Sequence, residues 1–101
     1  MNFTVRLTKG ADADIQRLID FLVVQDLAAA RRARKAIADG MKFLRKFPFS
    51  CRKAEGDMAS PFLRELVIPF GSAGYVALFE IEDESSVIVI AVRHQREEDY
   101  H

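Results

Sequence analysis

The chain has 101 residues, half of them apolar and 30% charged, which suffices for one core closed without disulfides or a structural metal. Its net charge of zero argues against a general binder of RNA or DNA, and no apolar run approaches the ~20 residues that a bilayer span requires. A single cysteine, Cys51, excludes an internal disulfide and fits a reducing cytoplasm; beside only two histidines it makes no zinc site, and it reads as a loop thiol without a role.

The first residues, Met1 to Lys9, lack the basic and apolar zones of a signal peptide. Phe3, Val5 and Leu7 alternate with Thr4, Arg6 and Thr8, the pattern of a short half-buried strand. A helix follows, capped by Thr8 or Asp12, with Ile15, Leu18, Ile19 and Leu22 on one face. Asp26 marks a tight break before a second helix over about Leu27 to Phe47, whose stripe is Ala30, Ala33, Ile37, Met41 and Leu44. The small residues near its start allow close approach, so the two helices form an antiparallel hairpin.

Pro48 ends the second helix and opens a loop that runs to about Pro61, with a short extra strand somewhere in Ser50 to Glu55. Phe62 to Phe70 is a strand with Arg64, Leu66, Ile68 and Phe70 on one face, and Pro69 belongs near its end or on an edge. Gly71 to Gly74 turns the chain into a strand over Tyr75 to Glu82, and Asp83-Glu84-Ser85 turns it again. The last strand, Val87 to Val92, is apolar at six consecutive positions and reads as buried on both faces. This order predicts an α+β, two-layer domain spanning 1–101: an N-terminal strand, an α-hairpin, then an antiparallel β-meander packed against the helices.

Charge is unevenly spread. Residues 31–53 carry nine basic side chains against Asp39 alone, while residues 54–101 hold ten acids against Arg64, Arg93 and Arg96. The basic segment is either a solvated helix face or an attractive field for an acidic peptide. Attention falls on the junction where the last strand meets Arg93-His94-Gln95-Arg96, with Tyr100 close behind, since a rigid sheet positions functional groups well.

The order of elements, with Tyr75-Val-Ala-Leu-Phe-Glu and Val92-Arg-His-Gln-Arg at the ends of the meander, resembles the RelE/ParE toxins of type II toxin–antitoxin modules, once called plasmid stabilisation proteins. The resemblance includes Thr8, Ala11, Asp14 and Ile15 opening the first helix. It continues with Phe47-Pro48, Leu63-Arg-Glu-Leu66 and Arg93-His-Gln-Arg-Glu97. It implies one of two activities: cleavage of mRNA in the ribosomal A site, as in RelE-like members, or inhibition of DNA gyrase, as in ParE-like ones. A third reading is a non-toxic module that only binds antitoxin.

RelE-like nucleases commonly carry an arginine after the aromatic residue that opens the second meander strand, and lysines on the strand before it. Here those places hold Val76 and Val67-Ile68-Pro69, which favours the ParE branch. If catalysis persists, its candidates are Arg64, Arg93, His94 and Tyr100, with Glu55 as an alternative base. The bland alternatives pair Arg64 with Glu80 or Glu82 and let His94 donate to a backbone carbonyl. Arg93 and His94 would point to opposite faces if the strand persists. Without catalysis, Arg93, His94, Arg96 and Tyr100 form a target-binding patch. The family further implies a cognate antitoxin in a hetero-oligomer, with Arg34, Lys42, Phe43, Phe47 and Phe49 as candidate contacts. It implies no metal and no cofactor.

Overall fold

The computed structural model describes residues 2–56 and 60–97. Strand β1 (Thr4–Leu7) leads into helix α1 (Lys9–Val23) and helix α2 (Leu27–Leu44); then come a 3₁₀ turn (Pro48–Ser50), a two-residue strand β2 (Arg52–Lys53) and the meander β3 (Leu63–Phe70), β4 (Ala73–Ile81) and β5 (Ser86–His94). The strands form one sheet in the order β1-β5-β4-β3-β2, antiparallel except for β1, which runs parallel to β5. Both helices lie on one face, α1 over β5 and α2 over β3. The α+β, two-layer arrangement expected from the element order is the one observed.

The motif at the start of α1 has a structural explanation. β1 stops at Leu7, whereas β5 runs on to His94, so the far half of β5 has no strand on that side. Buried backbone groups there need partners. The Thr8 hydroxyl donates to the Ile90 carbonyl at 3.0 Å and also accepts the Ala11 N–H as the cap of α1. Nearly two turns later the Asp14 carboxylate accepts the Val92 N–H at 2.9 Å. Between them Ala11 is fully buried, which lets the helix approach the strand. Opposite, the β4–β5 register slips at Leu78/Phe79 and leaves Ile90 as an extra residue.

Asp26 caps α2 by accepting the Ala29 N–H, and Ala30, Ala33, Ile37 and Leu44 are buried as the stripe predicts. The helix ends at Leu44, earlier than Phe47. Pro48 disfavours helical backbone at the residue before it, and Phe47 sits at φ −130°, outside the helix. Pro69 pairs with Gly74 on the part of β3 that β2 does not reach, as an edge proline should. The hairpin loop is only Gly71-Ser72, with Gly71 alone at positive φ, the pattern of a type II′ turn.

The final strand departs from expectation. Val87, Val89 and Val92 are buried under the helices and Ala91 is buried on the other face, but Ile88 and Ile90 are only half-buried. The helices cover one face of the sheet and leave the other open.

Loss of the Val92 acceptor in Asp14→Ala should lower stability by about 1–3 kcal/mol. Loss of the cap in Thr8→Ala should remove about 1–2 kcal/mol. Asp14→Asn retains an acceptor oxygen and should be the mildest of the three. Urea unfolding checks this order, and an Asp14→Ala variant as stable as the parent would show that the bond contributes nothing.

Candidate functional site

At the end of β5 the strand persists through His94, so Arg93 and His94 do face opposite sides. The pairing register puts His94 on the helix side in a row with Ile68 and Tyr75, and Arg93 on the open side in a row with Val67 and Val76. The His94 ring meets the Tyr75 ring edge-on at 5.8 Å. Its Nδ1 accepts the Arg96 backbone N–H at 3.1 Å, the reverse of donating to a carbonyl, so the neutral ring carries its proton on Nε2. Arg93 folds over the turn that follows. Its Nη1 donates to the carbonyls of His94 and Gln95 at 3.3 Å each and of Glu97 at 2.7 Å. Glu97 in turn accepts the His94 N–H and a forked contact from Arg17 of α1 at 3.3 and 3.5 Å. Arg96 is exposed and its side chain makes no hydrogen bond among the described residues. Tyr100 lies outside the described residues.

Arg64 stands elsewhere. Its guanidinium reaches the backbone of the loop before β3, donating through Nη1 to the carbonyls of Phe49 (3.0 Å) and Cys51 (2.9 Å) and through Nε to that of Pro61 (2.8 Å). It also lies over the Phe49 ring, 5.5 Å from the centroid. It therefore does not pair with Glu80 or Glu82; Glu82 instead takes Arg6. Register places Arg64 opposite Phe79 and His94 opposite Tyr75, about 13 Å apart along β4 and roughly 10 Å apart across it. The two side chains do not meet on one phosphate. Beside Arg64, burial pushes the Cys51 thiol up to about 11, against the pull of the guanidinium, so it is a poor nucleophile at neutral pH. Glu55 is exposed in the same loop.

The open face of the sheet is apolar around Arg93. Val67, Val76, Leu78 and Ala91 surround it, and the nearest carboxylate row holds Glu65 in an ion pair with Arg52 at 3.0 Å. Phosphodiester cleavage needs a base, an acid and cations around one phosphate. Among the described residues this face gathers no such set. Nor, among the described residues, does any group of three or more His, Cys, Asp or Glu converge there or elsewhere to hold a metal ion.

A different concavity lies between α2 and the bare edge of β3. It encloses about 430 Å³ and is lined chiefly by Ala36, Gly40, Phe43, Leu66, Val67 and Ile68. A Cβ on Gly40 would stand 3.0 Å from the Ile68 Cδ1, so the glycine lets helix and strand close together. Of the expected contacts, Phe43 forms one wall, 41% exposed, and stacks at a tilt on Phe47 at 5.5 Å. Phe49 is separate, edge-on to Phe3 and Phe62. Lys42 lines an adjoining groove under Asn2 to Val5 together with Phe43, and Arg34 is exposed on α2 without lining either. At the rim the Lys35 ammonium holds the Asp39 carboxyl below its usual range through a 2.8 Å hydrogen bond.

Sequence reasoning missed the contribution of α1. Arg17, Leu18 and Phe21 join His94, Arg96 and Glu97 around a groove of about 420 Å³. One signal existed, since Phe21 falls beside the buried stripe and not on it. Nothing in the spacing tied Arg17 to a residue eighty positions away.

Over residues 5–99 the chain matches the family described as ParE toxin of type II toxin-antitoxin system, parDE. It is a member of that family. A curated relative, Toxin RelE1 of Caulobacter vibrioides, is 34% identical over 98 residues, covering 97% of this chain and 99% of its own. A chain from the solved structure titled Chromosomal ParDE TA system from P. aeruginosa superposes with a TM-score of 0.69 at 17% identity. That match covers 91% of this chain and 95% of that one, and at such identity it bears on the fold alone. The toxin of a type II toxin–antitoxin module expected from the motifs is thus the family found. Among the described residues of this toxin, no helix is long and apolar enough to cross a membrane.

The role of Arg64 is testable by shape. A lysine cannot fork onto three carbonyls, so Arg64→Lys should lose about 1.5–3 kcal/mol of stability in denaturant unfolding. Full stability with lost toxicity would instead return Arg64 to the list of target-binding or catalytic groups.

Proposed function

We propose that the protein is a cytoplasmic ParE-like toxin that disables its target by contact, with DNA gyrase as that target, and does not cut RNA. The observation carrying this reading is the row Val67–Val76–Arg93 on the open sheet face. Two of its three members are apolar, and the third already serves three carbonyls. Three positions can still act on a target without catalysis: Arg96, exposed; His94, at the end of β5; and Arg93, which shapes the turn they stand on. Tyr100 is kept as a candidate beside them.

Neutralisation follows from the α2/β3 concavity. An antitoxin segment that is disordered when free can lay an apolar helix face into this groove and add a strand along the bare edge of β3. The exposed cations Arg34 and Lys42 suit an acidic tail, and Phe43 and Phe47 supply the apolar anchors. Phe49 stands apart from this pair, edge-on to Phe3 and Phe62, and is kept as a separate candidate contact. The competing reading is a ribosome-dependent mRNA endonuclease, favoured by the name of the Caulobacter relative.

Induced expression without antitoxin should arrest growth, and purified toxin should inhibit gyrase supercoiling. Primer extension on cellular mRNA should then show no new cuts between codons; such cuts would favour the endonuclease. For the groove, Phe43→Glu should weaken the antitoxin complex by about 30-fold or more in calorimetry, the loss typical of a central aromatic contact, while leaving the fold intact. Unchanged affinity would place the antitoxin elsewhere.

A further inference from the structure

The groove between α1 and the C-terminal turn is not the antitoxin groove, because α1 lies over β5 and α2 over β3, with β4 between those strands. Its floor is Leu18 and its most prominent wall is Phe21, an aromatic ring 64% exposed on a helix that buries Leu18 and Ile19. The apolar surface continues past Phe21. Val24 is 84% exposed at the end of α1 and Leu27 is 52% exposed at the start of α2, so the tip of the helical hairpin is a ridge of large uncovered side chains. Such a contiguous patch marks an interaction surface.

Charge identifies the occupant. Arg17 and Arg96 flank the groove, and both guanidiniums reach solvent. The one carboxylate in the wall among the described residues, Glu97, is already engaged by Arg17. This leaves Arg96 as a cation for an incoming carboxylate, and the apolar Leu18 and Phe21 lining suits an inserted side chain and offers nothing to a phosphate chain. A volume of about 420 Å³ receives one large apolar side chain with the backbone around it. Aromatic and arginine side chains are the residue types that anchor protein interfaces.

We propose that Leu18 and Phe21, with Arg17, His94 and Arg96, form a docking surface for an acidic segment of a target protein that inserts one large apolar side chain. This rests on the reading that toxicity works by protein contact. It adds a helix to a surface otherwise composed of the C-terminal turn. Arg17 has a positioning part, since its fork on Glu97 holds the turn against α1.

Two experiments test it. Full-length ¹⁵N-labelled toxin is titrated with a synthetic Asp/Glu-rich peptide carrying one Phe, with the same peptide carrying Ser in its place, and with a single-stranded oligonucleotide. The Phe peptide should perturb the amides of Phe21, His94 and Arg96, the Ser peptide should do so at least about 10-fold more weakly, and Phe21→Asp should abolish the perturbation. Perturbation confined to residues 31–53, equal response to both peptides, or preferential occupation by the oligonucleotide would overturn the proposal. In parallel, Phe21→Asp is expressed alone and with antitoxin. It should restore colony formation while still co-purifying with antitoxin and melting like the parent, and persistent toxicity would sink the surface. An unfolded Phe21→Asp is replaced by Phe21→Ala and Val24→Asp, read by the same criteria. The gyrase assay separates the two readings. Inhibition retained by a folded Phe21→Asp removes this surface and leaves the gyrase reading. Relief of arrest by Phe21→Asp, in a toxin that never inhibits gyrase, keeps the surface and removes gyrase.

Discussion

The unshared edge of β5 governs the architecture. A parallel strand of four residues cannot cover a strand of nine, and the carbonyl of Ile90 and the N–H of Val92 would be left without partners on a buried edge. The chain resolves this by entering α1 at once and turning its first two turns toward β5, where Thr8 and Asp14 act as substitutes for a strand. An unsatisfied buried backbone group costs more than an ordinary hydrogen bond contributes, so the location of α1 follows from that requirement. Once α1 is set, the short Asp26 turn and the small face of α2 place the second helix over β3.

The same constraint decides what stands at the end of β5. The bulge that leaves Ile90 unpaired shifts the side-chain alternation, so that Val92 and His94 share the helix face while Ala91 and Arg93 take the open one. A cation and an imidazole adjacent in sequence are thus separated by the thickness of the sheet. Arg93 is then drawn into the turn by three carbonyls, and His94 by one backbone N–H. Groups that suggest an active centre in sequence are engaged in building the turn that presents Arg96.

Two margins of the helical layer remain open, and they differ in character. The α2 margin combines an apolar groove, a bare strand edge and an excess of cations, which suits a long wrapping segment. The α1 margin is smaller, more aromatic and sits against the C-terminal turn. If the two proposed surfaces serve a neutraliser and a target, their placement on different helices lets each keep its own chemistry.

The sequence by itself was enough for the element order, the break at Asp26, the stripe of α2, a place for Pro69 near its strand end or on an edge, and the family, though it left the cap of α1 open between Thr8 and Asp12. All of these rest on interactions within a few residues or on periodicity along one element. It misplaced the end of α2, because Pro48 acts on the backbone before it, and it overstated the burial of the final strand, because six apolar residues do not say how many layers cover them. Arg64 shows the limit for site residues. Its type suggested a meander acid or a phosphate, but its partners are carbonyls of Phe49, Cys51 and Pro61, whose position depends on how the loop returns to the sheet. Phe21 and Arg17 became part of a surface only when β5 delivered the C-terminal turn beside α1. Tertiary structure alone decided that, because the contact joins residues eighty positions apart through hydrogen bonds at the edge of one strand.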